Sequence, residues 1–403
     1  MTPAARFQAV IDILGQIDGT AKPVERLLRD WGRAHRFAGS KDRAAVSELV
    51  YAILRRKSAL AWRMGSDTPR ALVIALVAEH HKAEKLFAGE GYGPAALNDA
   101  ERHALAHPPK GEPPPHVQGE YPPFLESELT RAFGDALLPQ MLALKQRAPV
   151  DLRVNTLKAE RDAVLQDLRA LGYDAEVTAR SPLGIRLPAG TKNVERTDLF
   201  LSGAFEFQDE AAQLAALLCE AKPGMRVLDL AAGAGGKSLA LAAEMRNQGE
   251  IVATDVRAEP LEELRRRATR AGASIISIEK NFPLAQEVGR EGTLFDVVLL
   301  DAPCSGTGTW RRQPELRWRL TPERLGELMA AQDSLLERAA AQVKPGGRLV
   351  YATCSILPCE NEDRIAAFLE SHPDFGRAGE DFRASPHSAG TDGFFAAVLA
   401  RCA

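Results

Sequence analysis

From Met225 onward the chain alternates short Val/Ile/Leu runs with stretches of helical character: RVLDL, a glycine-rich turn, IVATD, ISIE, FDVVLLD and GRLVYAT. Strands alternating with helices predict a doubly wound α/β layer with a parallel sheet. Ligands of such sheets sit at the carboxyl ends of the strands, so the residues just past each strand are where chemistry is to be sought.

The rest of the chain reads differently. The first hundred residues carry helical periodicity, as in Phe7, Val10, Ile11 and Leu14, then Val46, Leu49, Val50 and Ile53, and predict an all-α bundle over residues 1–107. That segment holds 16 Lys and Arg against 12 Asp and Glu, net +4, within a chain of 403 residues whose net charge is −3. Arg26, Arg29, Arg33, Arg36 and Arg55-Arg56-Lys57 are candidates for an RNA-facing surface. Seven prolines between Pro108 and Pro123 suggest a linker over residues 108–123. Beyond it, a strand over Val150–Leu157, a helix over Arg161–Leu171 and a weak hairpin over Glu176–Leu187 predict a small α+β adaptor spanning 124–200, with the catalytic domain over 201–403.

Composition removes several classes. The longest apolar run is the octet Ala71–Ala78, far short of the roughly 18 residues that span a bilayer. The N-terminal stretch lacks a secretory pattern, so a cytoplasmic protein is expected. Five scattered cysteines (Cys219, Cys304, Cys354, Cys359, Cys402) do not make a disulfide framework, and the histidines lack cysteine pairs at zinc spacing, so no metal is expected.

The first catalytic-domain strand ends in Asp229 and runs into Ala231-Ala232-Gly233-Ala234-Gly235-Gly236-Lys237, after which a helix begins. Such a loop lets a ligand approach the backbone at a helix N-terminus. It is not a phosphate-binding GxxxxGK[ST] loop, because Ala231 holds the position that would need glycine. Asp255 ends the next strand, where a carboxylate can accept hydrogen bonds from ribose hydroxyls. The alternative for Asp255 is a cap on the following helix. The third strand ends at Lys280-Asn281. This order resembles the class I S-adenosylmethionine methyltransferases, a resemblance that implies the cofactor's carboxypropyl end over the glycine loop, its ribose at Asp255 and its adenine beside Asn281, where such families usually carry Asp.

The fourth strand ends in DAPCSGTG, Asp301 to Gly308, and the fifth in TCSILPCENE, Thr353 to Glu362, each placing a cysteine just past a strand end. With RVNTLK (153–158), QDEAAQL (208–214) and DGFF (392–395), these motifs resemble the RsmB/Sun family of RNA cytosine-5 methyltransferases over residues 120–403, and the helical N-terminus looks like the NusB-type RNA-binding bundle attached to it. The loop departs from the family's usual CAAPGGKT: Ala231 and Ala234 stand where Cys and Pro are usual, Gly233 for Ala and Ser238 for Thr. Gln313-Pro314-Glu315 stands where His-Pro-Asp is common.

The resemblance implies Cys354 as the nucleophile that adds to carbon 6 of cytosine, Cys304 as the residue that assists release, and Asp301 as a contact to ring nitrogen 3 or the cofactor. Covalent addition makes carbon 5 enamine-like, which divides one difficult step into easier ones. Lys237 is a candidate for the base or for anionic groups of cofactor and RNA. In TWRRQPELRWRL, Arg311, Arg312 and Arg317 interleave with Trp310 and Trp318, a pattern that suits phosphates and an unstacked base. The expected activity is methylation of a cytosine in RNA, with small-subunit ribosomal RNA favoured over tRNA, by a monomer that does not act on DNA. The competing reading is a non-catalytic NusB-like RNA-binding or assembly protein.

Overall fold

The computed structural model describes residues 1–17, 19–20, 22–80, 82–280 and 294–403, and these form two compact units. The first unit comprises Met1–Gln146 together with Trp310–Leu320. Its helices include Pro3–Ile17, Val24–Ala34, Ser40–Leu54, Lys57–Met64, Pro69–Ala78 and Asp99–Ala106. Val10, Ile13, Val46, Val50, Ile53, Leu60, Val73 and Ile74 recur at helical spacing and are almost wholly buried in one core. Helix starts are defined locally. The Thr68 hydroxyl accepts from the Ala71 N–H with Pro69 in the first turn, and Asn98 forms a capping box with Glu101.

Two segments of this unit depart from the sequence reading. Within 108–123, Pro115–Gly119 is a short helix, and Val117 and Tyr121 are buried. A proline in the first turn is compatible with helix, and the two apolar side chains give that turn something to bury. Secondly, Trp310–Leu320 packs into the helical unit. Trp310 is fully buried, Trp318 Nε1 donates to the Leu54 carbonyl at 2.7 Å, and Arg319 donates to the carbonyls of Ile17 and Lys22 at 3.1 and 2.9 Å. Glu315 accepts from the Val24 N–H at 3.2 Å, placing a carboxylate at the start of helix Val24–Ala34.

The expectation of an RNA-facing Arg311 and Arg317 is therefore corrected. Arg317 is 0% exposed, stacked over Trp310 at 4.6 Å, and Arg311 is 5% exposed, so neither is presented to a phosphate backbone. The guanidinium–indole spacing that suggests a nucleic-acid surface serves packing here. Arg312 is half-buried in the same segment.

The second unit comprises Arg147–Thr309 and Thr321–Ala403. It begins with a four-stranded antiparallel sheet, order β2-β3-β1-β4, from β1 (Val150–Val154), β2 (Glu176–Val177), β3 (Gly184–Leu187) and β4 (Phe205–Phe207). Leu152, Val154, Ile185, Leu187 and Phe205 bury one side of it with helix Arg161–Ala170. β1 stops at Val154 because the Asn155 side chain turns away to donate to the carbonyls of Gly203 and Ala271.

The larger sheet contains β5 (Arg226–Asp229), β6 (Glu250–Asp255), β7 (Ile276–Lys280), β8 (Phe295–Asp301), β9 (Val343–Thr353), β10 (Phe375–Arg377), β11 (Phe382–Ala384) and β12 (Phe394–Arg401). Its order is β10-β12-β9-β8-β5-β6-β7, with β11 beside β12. β5 through β9 pair in parallel, and β12 inserts antiparallel to β9. The parallel core was expected and the antiparallel edge was not. β8 shows why the parallel part is legible: Val297, Val298, Leu299 and Leu300 are each at most 1% exposed, the continuous apolar run of a strand covered on both faces. Strand order reverses at β5, which has β6 on one side and β8 on the other, opening a crevice at their carboxyl ends.

Candidate active site

The glycine loop leaves β5 at Asp229 and closes with Gly235 as N-cap of helix Gly236–Glu244. Gly235 has φ +77°, and a Cβ there would collide with the Leu264 side chain, so only glycine fits both the conformation and the packing. The small antiparallel sheet supports this loop from behind: buried Arg153 of β1 donates to the Gly236 carbonyl at 2.6 Å and to Gln208. Burial lowers the Arg153 pKa to about 10. Arg267 donates to the Ala234 carbonyl at 2.7 Å. Ala231, Ala232 and Gly233 are half-exposed along the open side.

Asp255 ends β6 with its carboxylate accepting from the Gly233 N–H at 3.0 Å and from the Arg257 backbone and guanidinium. Burial alone would raise its pKa, but the Arg257 and Gly233 hydrogen bonds outweigh this and hold it below the usual carboxylate range. The Arg257 side chain is 67% exposed, so it can yield Asp255 to another partner. Asn281, the expected adenine neighbour, lies outside the described residues.

Asp229 was noted in the sequence only as a strand end, and the structure adds it to the site. It is 1% exposed. Oδ2 accepts from the Ser238 hydroxyl at 2.6 Å, and Oδ1 has no hydrogen-bond partner among the described residues. Burial raises its pKa to about 6 despite the Ser238 bond, with the charge of Asp301 acting the same way. A buried carboxylate oxygen without a partner beside a glycine loop is suited to an ammonium group. With Asp255 positioned for a diol and backbone N–H groups at the helix start, the donor set fits S-adenosylmethionine, which carries an α-ammonium, a carboxylate and a ribose.

Lys237 lies in the first turn of helix Gly236–Glu244 and points its Nζ to Asp301 Oδ2 at 2.5 Å, 5.1 Å from the centre of the Phe394 ring on β12. Burial disfavours its charge, but Asp301, Asp229 and Cys354 more than offset this and hold the ammonium above its ordinary range.

Cys304, past the end of β8, and Cys354, directly past β9, bring their sulfurs to 3.4 Å. Hydrogen bonding to Cys354, then burial, the charge of Cys354 and that of Glu360, push the Cys304 thiol well above its usual range. The two loops touch through backbone as well. The Gly308 N–H donates to the Cys354 carbonyl at 2.9 Å, and a Cβ on Gly393 would clash with the Ile356 side chain and the Gly308 Cα, which explains the glycine of DGFF. Cys219 is fully buried, where burial pushes its thiol up, and it takes no part in this site. Among the described residues, no group of His, Cys, Asp or Glu could hold a metal ion, and no helix is long and apolar enough to cross a membrane.

Comparison with known proteins agrees with this geometry. Residues 216–400 match the family model of the 16S rRNA methyltransferase RsmB/F, and residues 121–194 match the ferredoxin-like domain of RsmF/B-like methyltransferases. The chain is 36% identical over 270 residues to the probable ribosomal RNA small subunit methyltransferase B of Synechocystis, covering 67% of this chain and 59% of that protein. It is 35% identical over 314 residues to the ribosomal RNA small subunit methyltransferase B of Sodalis glossinidius, covering 76% and 69%. The matched stretch thus spans roughly three-fifths to two-thirds of such relatives. Among solved structures, PH0851 aligns over 99% of both chains with TM-score 0.78 and 27% identity. A methyltransferase homologue from Pyrococcus horikoshii aligns over 71% of this chain and 97% of its own with TM-score 0.63 and 28% identity. The 3.4 Å cysteine pair, the class I methyltransferase sheet and this sequence identity lead to one assignment: the chain belongs to the RsmB/F family of 16S rRNA methyltransferases.

Proposed function

We propose that this protein transfers a methyl group from S-adenosylmethionine to carbon 5 of a cytosine in RNA, with small-subunit ribosomal RNA as the substrate, through a covalent adduct on Cys354. The observation that carries the reading is the pair of sulfurs from two different strand ends held 3.4 Å apart beside the Lys237–Asp301 pair. Asp229, Asp255 and the 231–237 loop would hold the cofactor, which supplies an electrophilic methyl group.

Cys354 sulfur adds to carbon 6, and the ring electrons move toward nitrogen 3 and carbon 5, which makes carbon 5 nucleophilic. Lys237, as ammonium, faces the negative charge that the ring develops, and Asp301 holds Lys237 in place and meets the ring edge. After methylation solvent water accepts the carbon 5 proton, the electron pair of that carbon–hydrogen bond restores the 5,6 double bond, and the carbon–sulfur bond breaks to return the Cys354 thiolate. The Cys304 thiol stabilises that departing sulfur by donating its hydrogen bond. Because a stacked base offers neither face of its ring, the cytosine is taken from a loop or flipped out. The helical unit, read as NusB-like, would give a second grip on folded RNA, and the working form is a cytoplasmic monomer.

The test is bisulfite sequencing of total RNA from cells lacking the protein, complemented with wild type or Cys354→Ala. Protection of one or a few small-subunit cytosines should return with wild type alone. A restored site in tRNA would move the substrate, and protection by Cys354→Ala would remove the nucleophile.

A further inference from the structure

The two cysteines lie on separate loops, and no covalent link sets their separation. The residue after each of them turns inward. Ser305 and Ser355 are 7% and 1% exposed, and the carboxylate of Glu360, itself 0% exposed, lies between them. One Glu360 oxygen accepts from the Ser305 N–H at 2.8 Å and from Gln332 Nε2 at 3.0 Å. The other accepts from the hydroxyls of Ser305 and Ser355, each at 2.5 Å.

The rest of the pocket secures Glu360 in turn. Tyr351 OH donates to its backbone carbonyl at 2.6 Å, Gln332 also donates to the Pro303 carbonyl, and Asn361 Nδ2 donates to the Ser355 carbonyl at 3.0 Å. Thr307 Oγ1 lies between the two serine hydroxyls, at 3.2 and 3.1 Å, and accepts from the Ile356 N–H at 3.0 Å. Glu360 has no ion-pair partner among the described residues. A carboxylate buried without a cation is costly unless every lone pair is occupied, and a position that served packing alone would be filled by an apolar side chain.

We propose that Glu360 is a positioning residue that clamps the Cys304 loop to the Cys354 loop and so sets the sulfur–sulfur separation on which addition and release depend. The catalytic consequence rests on the function proposed above, whereas the clamp itself is a statement about geometry. A displacement of about 1 Å at a reacting group costs on the order of a hundredfold in rate. Among the described residues no hydrogen bond joins the Glu360 side chain to the 231–237 loop or Asp255, so cofactor affinity should not follow its loss.

The experiment uses the full chain carrying Glu360→Gln, which keeps the shape but loses the charge, alongside Glu360→Ala and Ser355→Ala. Diamide accepts the two thiol hydrogens of a close cysteine pair and leaves one disulfide. Peptide mapping assigns that disulfide to Cys304–Cys354, and its rate of formation reports their proximity without any RNA. Wild type should form it readily, Glu360→Ala about tenfold or more slowly, and Glu360→Gln at an intermediate rate. S-adenosylmethionine Kd should stay within twofold, and kcat on RNA should fall about a hundredfold in Glu360→Ala with the KM for cofactor unchanged. If Glu360→Ala does not fold, Glu360→Gln and Ser355→Ala carry the same comparison. Thiols that join as fast as in wild type in every folded variant would overturn the proposal, as would cofactor affinity that falls in step with kcat. Absence of methylation by wild type would defeat the proposed function while the diamide rates still decide the clamp.

Discussion

Lys237 and Arg317 are both buried cations in segments that look functional in sequence, and their surroundings give them opposite roles. Lys237 faces the Asp301 carboxylate at 2.5 Å, with Asp229 and Cys354 adding negative charge, so its ammonium is held above its ordinary range. Arg317 is buried against the Trp310 and Trp318 rings, its side-chain nitrogens lack hydrogen-bond partners among the described residues, and burial lowers its pKa to about 9 against the raising influence of Glu120. One cation is stabilised and aimed at a crevice. The other is desolvated and serves as part of a core. A buried charge is therefore informative about chemistry only together with what it faces.

The contrast can be broken in several ways. The largest effect is expected from Trp310→Ala, which should cost the helical unit about 3–5 kcal/mol, measured by urea unfolding. A protein that keeps its stability but loses RNA affinity would return Trp310 to the RNA surface. Next, Lys237→Met should lower kcat/KM about a hundredfold, and Asp301→Asn added to it should cost much less than the product of the two single effects, because they act as one pair. An effect below twofold would make Lys237 as structural as Arg317.

Asp229 sharpens the comparison through pH. Its pKa of about 6 lies above that of an unfolded carboxylate, so the stability associated with its proton is present below about pH 4 and is lost as pH rises through 6. Cofactor binding runs the other way, since an ammonium needs the charged carboxylate. S-adenosylmethionine affinity measured by calorimetry should weaken by up to about tenfold per pH unit below 6, and Asp229→Asn should abolish that dependence. The smallest effect belongs to Arg317→Met, which should change stability by no more than about 1 kcal/mol in either direction, because an apolar chain of similar size replaces a charge without hydrogen bonds. RNA affinity plotted against salt should keep its slope, whereas a slope reduced by about 1 would mark Arg317 as a phosphate contact.

Much of the site was legible because it is written locally. Ala231 to Lys237, Asp255, Asp301, Cys304 and Cys354 all close or follow strands rich in apolar residues, and a parallel sheet delivers every such strand end to one edge. Asp229 was passed over although it ends the first strand, because its orphaned oxygen exists only once Ser238 has taken the other one. The tract rich in arginine and tryptophan was misread because composition carries no direction. Whether Arg311 and Arg317 meet water or a core depends on helices some 250 to 300 residues away in sequence, through contacts such as Trp318 with Leu54.

The sequence by itself determined the helical character of the N-terminal part, the parallel sheet, and the glycine loop and two cysteines at its edge, because periodicity and strand-end motifs are properties of neighbouring residues. Only the tertiary structure decided that β12 enters antiparallel, that Trp310–Leu320 packs with the helical unit, and that the sulfurs of Cys304 and Cys354 meet at 3.4 Å with Glu360 bridging their loops. These outcomes depend on hydrogen bonds and buried contacts between distant segments, and such partners are chosen by packing rather than by local propensity.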